Sequence, residues 1–475
     1  MGGYASTMSS MVLPENKKAK GSSSQINHAY LLTASEVATQ IRAGTMTVEE
    51  YARSLLRRID DRDSAVKAWA YIDKKYVIEQ AKALDKVPFA NRGPLHGVPV
   101  AVKDVIYTKD MPTQHGSPIH EGDFPKIDAD SIAILRKAGV LILGKTNTTE
   151  FAATTIGGVT CNPHDPLRTP GGSSSGTGAA IGDFQAPIGL GTQTGGSTIR
   201  PASFNGVYAL KPTWNSISRE GQKFYALIFD TLGLYARSVD DLDLLADAFA
   251  LADDEESAFA GVQGARFAVC KTMAWNEAGP GTVKALQRAT ELLRSHGARV
   301  DEIELPPEFN DLPELHETAL FAEGRVTFLS PYRVAKDLLS PFLAEHVENP
   351  YPISRKQQLA AFDKMAALRP KFDEIASHYD AVLVPSVPDE APVGHEFTGN
   401  AIFCAIWSAL HVPVVNIPGF QGEHGMPIGV SLVAPRYYDR HLLKVSKAVG
   451  PIFEAEGGWK RKNVPVIDVG PADGF

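Results

Sequence analysis

Cysteine is scarce, positive charge is in deficit and long apolar runs are missing, and each shortage closes a class of function. Three cysteines occur in 475 residues, Cys161, Cys270 and Cys404. They stand far apart and form no CxxC pair, which excludes a disulfide framework and a thiolate zinc site. Such sparing use suits a reducing compartment, and a cytoplasmic location is expected. Lys and Arg total 47 against 55 Asp and Glu, a formal net charge of -8. Nucleic-acid binding rests on clustered cations that displace counterions, so no nucleic-acid partner is expected. No run reaches the roughly 18 consecutive apolar residues that a membrane span requires. Residues 1–28 lack the continuous apolar segment of a signal peptide and read as a flexible N-terminal tail, although MGGYAS satisfies the myristoylation pattern. Linkers and repeats are missing too: the Gly and Pro residues are dispersed, and no internal period appears.

What is present reads as one α/β domain over residues 29–460, followed by a C-terminal extension, 461–475. Thr33 with Glu36 and Thr47 with Glu50 have capping-box spacing, and Gly44 between them is a stop, so two short helices open the fold. The run Gly93–Tyr107 contains a buried strand of Val and Ala, with Lys103 in its least polar part. Ala129–Ala138 has helical spacing, Gly139 ends it, and Val140–Leu143 suits a central strand. The alternation resumes with a strand at Phe267–Cys270, a helix around Val283–Leu293, and strands at Arg299–Leu305 and Ala381–Pro385. The expected architecture is a single large domain with a central mixed β-sheet and helices on both faces.

Gly139, Gly144, Lys145 and Thr146 match the P-loop expression GxxxxGK[ST], but the context is wrong. A phosphate loop follows a strand and opens a helix; here a helix precedes Gly139 and the middle residues are Val, Leu, Ile and Leu. They read as the strand itself. The informative pattern is PGGSSSG (Pro170–Gly176) followed by GTQTGGSTIRPAS (Gly191–Ser203), two glycine-serine clusters separated by a weakly helical, Ala/Ile/Gly-rich segment. Glycine lets a GGS turn present a serine hydroxyl beside unencumbered N–H groups, as an oxyanion hole requires. A nucleophilic serine also needs a base. No GxSxG elbow surrounds Ser197 and no histidine lies near it, although a distant histidine stays open, and lysine is the remaining class.

GPLHGVPVAVKD, GVLILGKTNTTEFA, the two glycine-serine clusters and ARSVDDLDLLAD, followed by LVPSVP, HVPVVNIPGF and GMPIGVSLVAP, resemble the amidase signature family from about Leu31 to Ile452. The order agrees, and so does the spacing: Ser173 and Ser197 are 24 positions apart, and Lys103 precedes Ser173 by 70. The resemblance implies the amidase signature fold and a Ser-cisSer-Lys triad, with Ser197 as nucleophile, Ser173 as the bridging serine and Lys103 as base. It also implies an oxyanion hole lined by the N–H groups of Thr194, Gly195, Gly196 and Ser197. No cofactor or metal is implied.

Lys103 must be neutral to accept a proton. An ordinary lysine is neutral at pH 7 in about one molecule in a few thousand, a penalty of about 4.6 kcal/mol, so burial has to lower its pKa. Strand alternation is expected to aim Asp104 to the opposite face. Ser174, Gln193, Arg200 and Glu150 are candidates to brace the oxyanion loop; many members of the family carry Asp where Gln193 stands. Ala153, Thr155, Ile228 and Trp407 are candidates for the substrate-pocket wall, and apolar walls favour aryl or alkyl acyl groups. The expected reaction is hydrolysis of amide C–N bonds through an acyl-enzyme, with carbamates, urethanes and esters open to the same chemistry. The ammonia-producing component of a transamidosome is the less favoured reading, because Thr198–Pro201 reads TIRP where that component usually has IRQP. The partner is a small-molecule amide or carbamate, and the chain is expected to be a monomer or homodimer.

Overall fold

The computed structural model describes residues 26–350 and 352–461. The expected tail and C-terminal extension lie outside these bounds apart from residues 26–28, which begin a 3₁₀-helix, and Arg461. Arg461 is tied to the body, donating to the carbonyls of Gly182 (3.0 Å) and Gly206 (2.9 Å).

Eleven strands form one sheet: β1 (Trp69–Tyr71), β2 (Pro99–Lys103), β3 (Leu141–Thr146), β4 (Ile188–Gln193), β5 (Tyr208–Lys211), β6 (Thr231–Ala236), β7 (Arg266–Cys270), β8 (Arg299–Ile303), β9 (Ala381–Pro385), β10 (Val414–Gln421) and β11 (Pro427–Val433). Their spatial order is β1-β3-β2-β4-β6-β5-β10-β11-β9-β7-β8. The sheet is mixed: β3, β2 and β4 run parallel at one side and β9, β7 and β8 at the other, with antiparallel pairs between.

Alternation along each strand divides the core. Val100 and Val102 of β2, Phe267 and Val269 of β7, and Ala381 and Leu383 of β9 enter one apolar cluster that covers one whole face. Their neighbours face the other way, Ala101 into a cluster with the N-terminal helices and Ala268 and Val382 into one with the helices Leu312–Thr327 and Arg355–Ala376. Helices therefore cover both faces. No helix among the described residues is long and apolar enough to cross a membrane.

Both capping boxes form. Thr33 Oγ1 accepts from Glu36 N while the Glu36 carboxylate accepts from Thr33 N, and Thr47 and Glu50 repeat the pattern. Gly44 at φ 70° closes the helix Ala34–Ala43. The second helix, Val48–Val66, runs 19 residues rather than being short: its buried stripe of Tyr51, Leu55 and Ile59 is followed by a solvent-facing turn, and the helix ends only past the buried Val66, where Lys67 turns left-handed. The P-loop match dissolves as expected: Gly144, Lys145 and Thr146 are the last residues of β3, and the buried Lys145 amine meets Thr113 Oγ1 (2.6 Å) and Asp104 (3.3 Å).

A further element differs from the sequence expectation. The segment between the glycine-serine clusters holds a helix, Ser175–Gly182, and also the central strand β4. Glycines hid this strand. A Cβ on Gly189 would come 2.6 Å from Thr177 Cγ2, and one on Gly191 would come 2.6 Å from Tyr235 Cε2, so close packing forbids side chains where a strand pattern would show them.

Candidate active site

The C-terminal ends of the parallel strands β2 and β4 bring the first residues together. Val102 pairs with Leu190, which places Lys103, the last residue of β2, beside Thr192 near the end of β4. The Lys103 amine is fully buried and donates to Ser173 Oγ at 2.7 Å and Thr192 Oγ1 at 2.8 Å. Burial drives its pKa well below the usual lysine value; the carboxylate of Asp230 opposes that shift and the Arg200 guanidinium adds to it. Asp104, the natural partner by sequence, faces Lys145 instead, as alternation requires.

Ser173 follows a cis Gly172–Ser173 peptide bond. Its neighbour Ser174 joins the clusters: Ser174 Oγ donates to Thr192 O (3.2 Å) and accepts from Thr192 N (3.3 Å), and Ser174 N donates to Ser197 O (3.3 Å). Arg200 Nη2 donates to Gly172 O at 2.6 Å and to Thr398 Oγ1 at 3.3 Å, so it fixes the first cluster from the second.

The turn Thr194–Thr198 links β4 to the helix Ile199–Asn205, and its carbonyls and side chains are held from behind. Gln193 Oε1 accepts from Thr198 N (2.9 Å) and Ile199 N (3.0 Å), and Gln193 Nε2 donates to Ser408 Oγ. Ser408 Oγ donates to Gly195 O (3.0 Å), His316 Nε2 to Thr194 O (3.1 Å), and Thr194 Oγ1 to Asp230 Oδ1 (2.5 Å). With these acceptors engaged, the N–H groups of Thr194, Gly195, Gly196 and Ser197 donate to nothing among the described residues. The Ser197 hydroxyl likewise has no partner there and borders the adjoining cavity.

That cavity has a volume of about 510 Å³. Ala153 and Thr155 line it, as expected from the sequence. Ile228 and Trp407 do not. Trp407 is 1% exposed and packs on Phe372 in the core behind the site, and Ile228 packs against that same core with its N–H given to Glu323. Glu150 is a second correction: its carboxylate accepts from Ser117 Oγ (2.8 Å) and Ser340 N (3.2 Å), so it anchors the loop before Ala153 and does not brace the turn Thr194–Thr198.

Sequence reasoning missed Thr192, Asp230, His316 and the aromatic wall. Tyr225, Phe321 and Phe342 face the cavity and meet behind it at His346. His346 Nδ1 donates to Phe342 O (2.8 Å), so its Nε2 accepts from the Tyr225 hydroxyl (2.7 Å), while Phe321 stacks on the ring at 4.3 Å. A signal existed in Pro313, His316, Glu317, Leu320 and Phe321, which recur at the i, i+3, i+4 spacing of one helix face.

Comparison with known proteins agrees with this architecture. The A-type subunit of the glutamyl-tRNA(Gln) amidotransferase of Rhodopirellula baltica is 30% identical over 496 residues, covering 92% of this chain and 99% of that protein. Its counterpart in Symbiobacterium thermophilum is 31% identical, with 88% and 96% covered. A crystal structure of an amidase superposes with a TM-score of 0.80 at 29% identity, covering 89% of this chain and 99% of its own. The family model described as Amidase matches residues 50–443, and the chain therefore belongs to the amidase signature family of enzymes acting on C–N bonds.

Proposed function

We propose that the protein is a serine-dependent amidohydrolase that cleaves aryl or alkyl amides through an acyl-enzyme on Ser197. The contact between the buried Lys103 amine and Ser173 Oγ carries this reading. A lysine sealed from water and deprived of a paired carboxylate loses its proton readily and becomes a base. Ser197 attacks the carbonyl, its proton passes to Ser173, and the Ser173 proton passes to Lys103. The four free N–H groups of the turn receive the developing oxyanion. Lys103 returns the proton through Ser173 to the leaving nitrogen, and water then releases the acyl group by the same path.

Carbamates, urethanes and esters offer the same carbonyl to the same donors, and the aromatic part of the cavity wall suits aryl and alkyl groups beside it. A second reading, an amidotransferase component working in a complex, rests on the amidotransferase relatives. The wall of Tyr225, Phe321 and Phe342 favours the first. The test is a mass-spectrometric panel of anilides, primary amides including glutamine, carbamates and esters, run with wild type, Ser197→Ala and Lys103→Ala. Both variants are expected to fold and to lose most turnover; near-normal activity in either removes the assignment. Ammonia from glutamine with no turnover of anilides or carbamates supports the amidotransferase reading instead.

A further inference from the structure

The helix Leu312–Thr327 turns His316 toward both the cavity and the oxyanion turn. Its Nε2 lies 3.1 Å from Thr194 O. A carbonyl oxygen only accepts, so Nε2 carries the proton, and in a neutral imidazole Nδ1 is then a bare acceptor. Burial holds the ring pKa down to about 4 against the opposing bond to the Thr194 carbonyl, so the ring is neutral over the working range. Phe229 stacks on it at 4.2 Å and 26°, which fixes the ring plane. The Cε1 edge between the two nitrogens faces Gly195: a Cβ placed on that glycine would lie 3.6 Å away. His316 is 4% exposed and borders the cavity, and its Nδ1 has no donor among the described residues. An acceptor held rigidly at the cavity wall without a protein donor calls for a donor from the ligand.

We propose that His316 Nδ1 accepts an N–H of the substrate beside the carbonyl attacked by Ser197. His316 is then a specificity-determining residue that favours secondary amides, anilides and N-aryl carbamates over esters of the same shape. The inference rests on the acyl-enzyme reading above. The neutral ring takes no proton in the cycle, since the leaving nitrogen receives its proton from Ser173. What the ring does is hold the N–H of the substrate while the carbonyl oxygen sits against the turn that the same imidazole braces. Binding groups that leave an unpaired acceptor behind are discriminated against, and an ester oxygen is such a group.

The test uses 4-nitroacetanilide and 4-nitrophenyl acetate, which share the acetyl group and the ring and differ in N–H against O. The measured quantity is the ratio of kcat/KM for the two. His316→Phe keeps the stack on Phe229 and removes the acceptor; the ratio is expected to fall about tenfold or more. His316→Gln, which restores one donor and one acceptor, is expected to recover most of it. Ser408→Ala loosens the same turn at Gly195 without touching the acceptor, and should lower both substrates together. In wild type, methylating the anilide nitrogen should lower kcat/KM by about tenfold, a measurement that needs no variant to fold. Equal losses on both substrates in His316→Phe, a ratio in Ser408→Ala that falls as far, or an undiminished N-methyl anilide each overturn the proposal for His316. Wild type that cleaves neither compound refutes the underlying reading of the site instead.

Discussion

Lys103 Nζ stands 2.7 Å from Ser173 Oγ across a separation of 70 residues, and no solvent reaches the amine. If Lys103 is the proposed base it works only when deprotonated, so kcat/KM is expected to rise with pH along a limb lying well below the ordinary lysine value of 10.5. The same shift fixes a stability trend. Between the lowered native pKa and 10.5 the unfolded chain binds a proton that the native state does not, so stability rises with pH across that window. Lys103→Met, which has no charge to bury, is expected to melt above wild type at neutral pH, and the gap should close toward pH 10. A gap independent of pH contradicts a neutral Lys103.

Asp230 sets how far that lowering goes. Burial pushes its own pKa up to about 6, yet it is ionised at neutral pH and its charge works against the burial of the Lys103 ammonium. Asp230→Asn removes the charge while an amide still serves the neighbours, Oδ1 accepting from Tyr225 N and Ala226 N and Nδ2 donating to Thr194 Oγ1. The acid limb of kcat/KM should therefore move to lower pH. A move to higher pH, measured with the same substrate and salt, rules out this coupling.

Gln193 holds the turn through one oxygen that accepts two N–H groups at the start of the helix Ile199–Asn205. Gln193→Leu leaves both donors buried and unpaired, and kcat should fall about 10- to 100-fold with a smaller change in KM. Gln193→Asp supplies a carboxylate to the same two N–H groups and is expected to stay within a few-fold of wild type. Steady-state kinetics on one chromogenic substrate separates the two variants.

The framework was legible wherever a residue type is tied to a local geometry. Capping boxes, Gly139 at φ 93° and the apolar runs of β7 and β9 depend on neighbours in the chain, and each formed where its signal stood. Strand β4 was hidden because its glycines answer to Thr177 and Tyr235, which are distant in sequence. The same limit applies to the site. Motif and order single out Lys103, the paired serines and the turn, which the fold brings together, whereas part of the cavity wall comes from a helix outside those motifs, marked only by its i, i+3, i+4 spacing. Trp407 looked like a pocket residue by type and is core by placement. The loop of Ala153 is shaped by Phe151 and Ala152 at φ 50° and 58°, a left-handed pair that no residue preference foretells.

The Lys145–Asp104 pair accounts for the nucleotide-binding signature without any nucleotide. Both side chains are sealed, Asp104 Oδ1 has no other partner, and the carboxylate pKa is raised by burial against the pull of Lys145. Lys145→Met strands a buried carboxylate and should cost about 3–5 kcal/mol of stability, seen as a lower melting temperature. Adding Asp104→Asn should return a large part of it. Addition of ATP and magnesium should leave the melting temperature of wild type unchanged; a shift that Lys145→Met abolishes would revive a phosphate site.

His346 makes one wall of the cavity out of three segments. Its Nδ1 is committed to Phe342 O, its Nε2 to the Tyr225 hydroxyl, and its face to Phe321, and Gly324 lies so close that a Cβ there would stand 2.6 Å from the ring. His346→Phe keeps an aromatic ring in the cage and leaves the Tyr225 hydroxyl without its acceptor, at a cost of about 1–3 kcal/mol. The wall residues then lose their fixed positions while Lys103, Ser173 and Ser197 keep theirs. KM for aryl substrates should accordingly rise several-fold, with kcat within about twofold. Combining it with Tyr225→Phe, which removes the stranded hydroxyl, should recover stability more than it recovers KM, because the link between Tyr225 and Phe342 stays broken. A fall in kcat at unchanged KM would place His346 in the chemistry of the turn rather than in the wall.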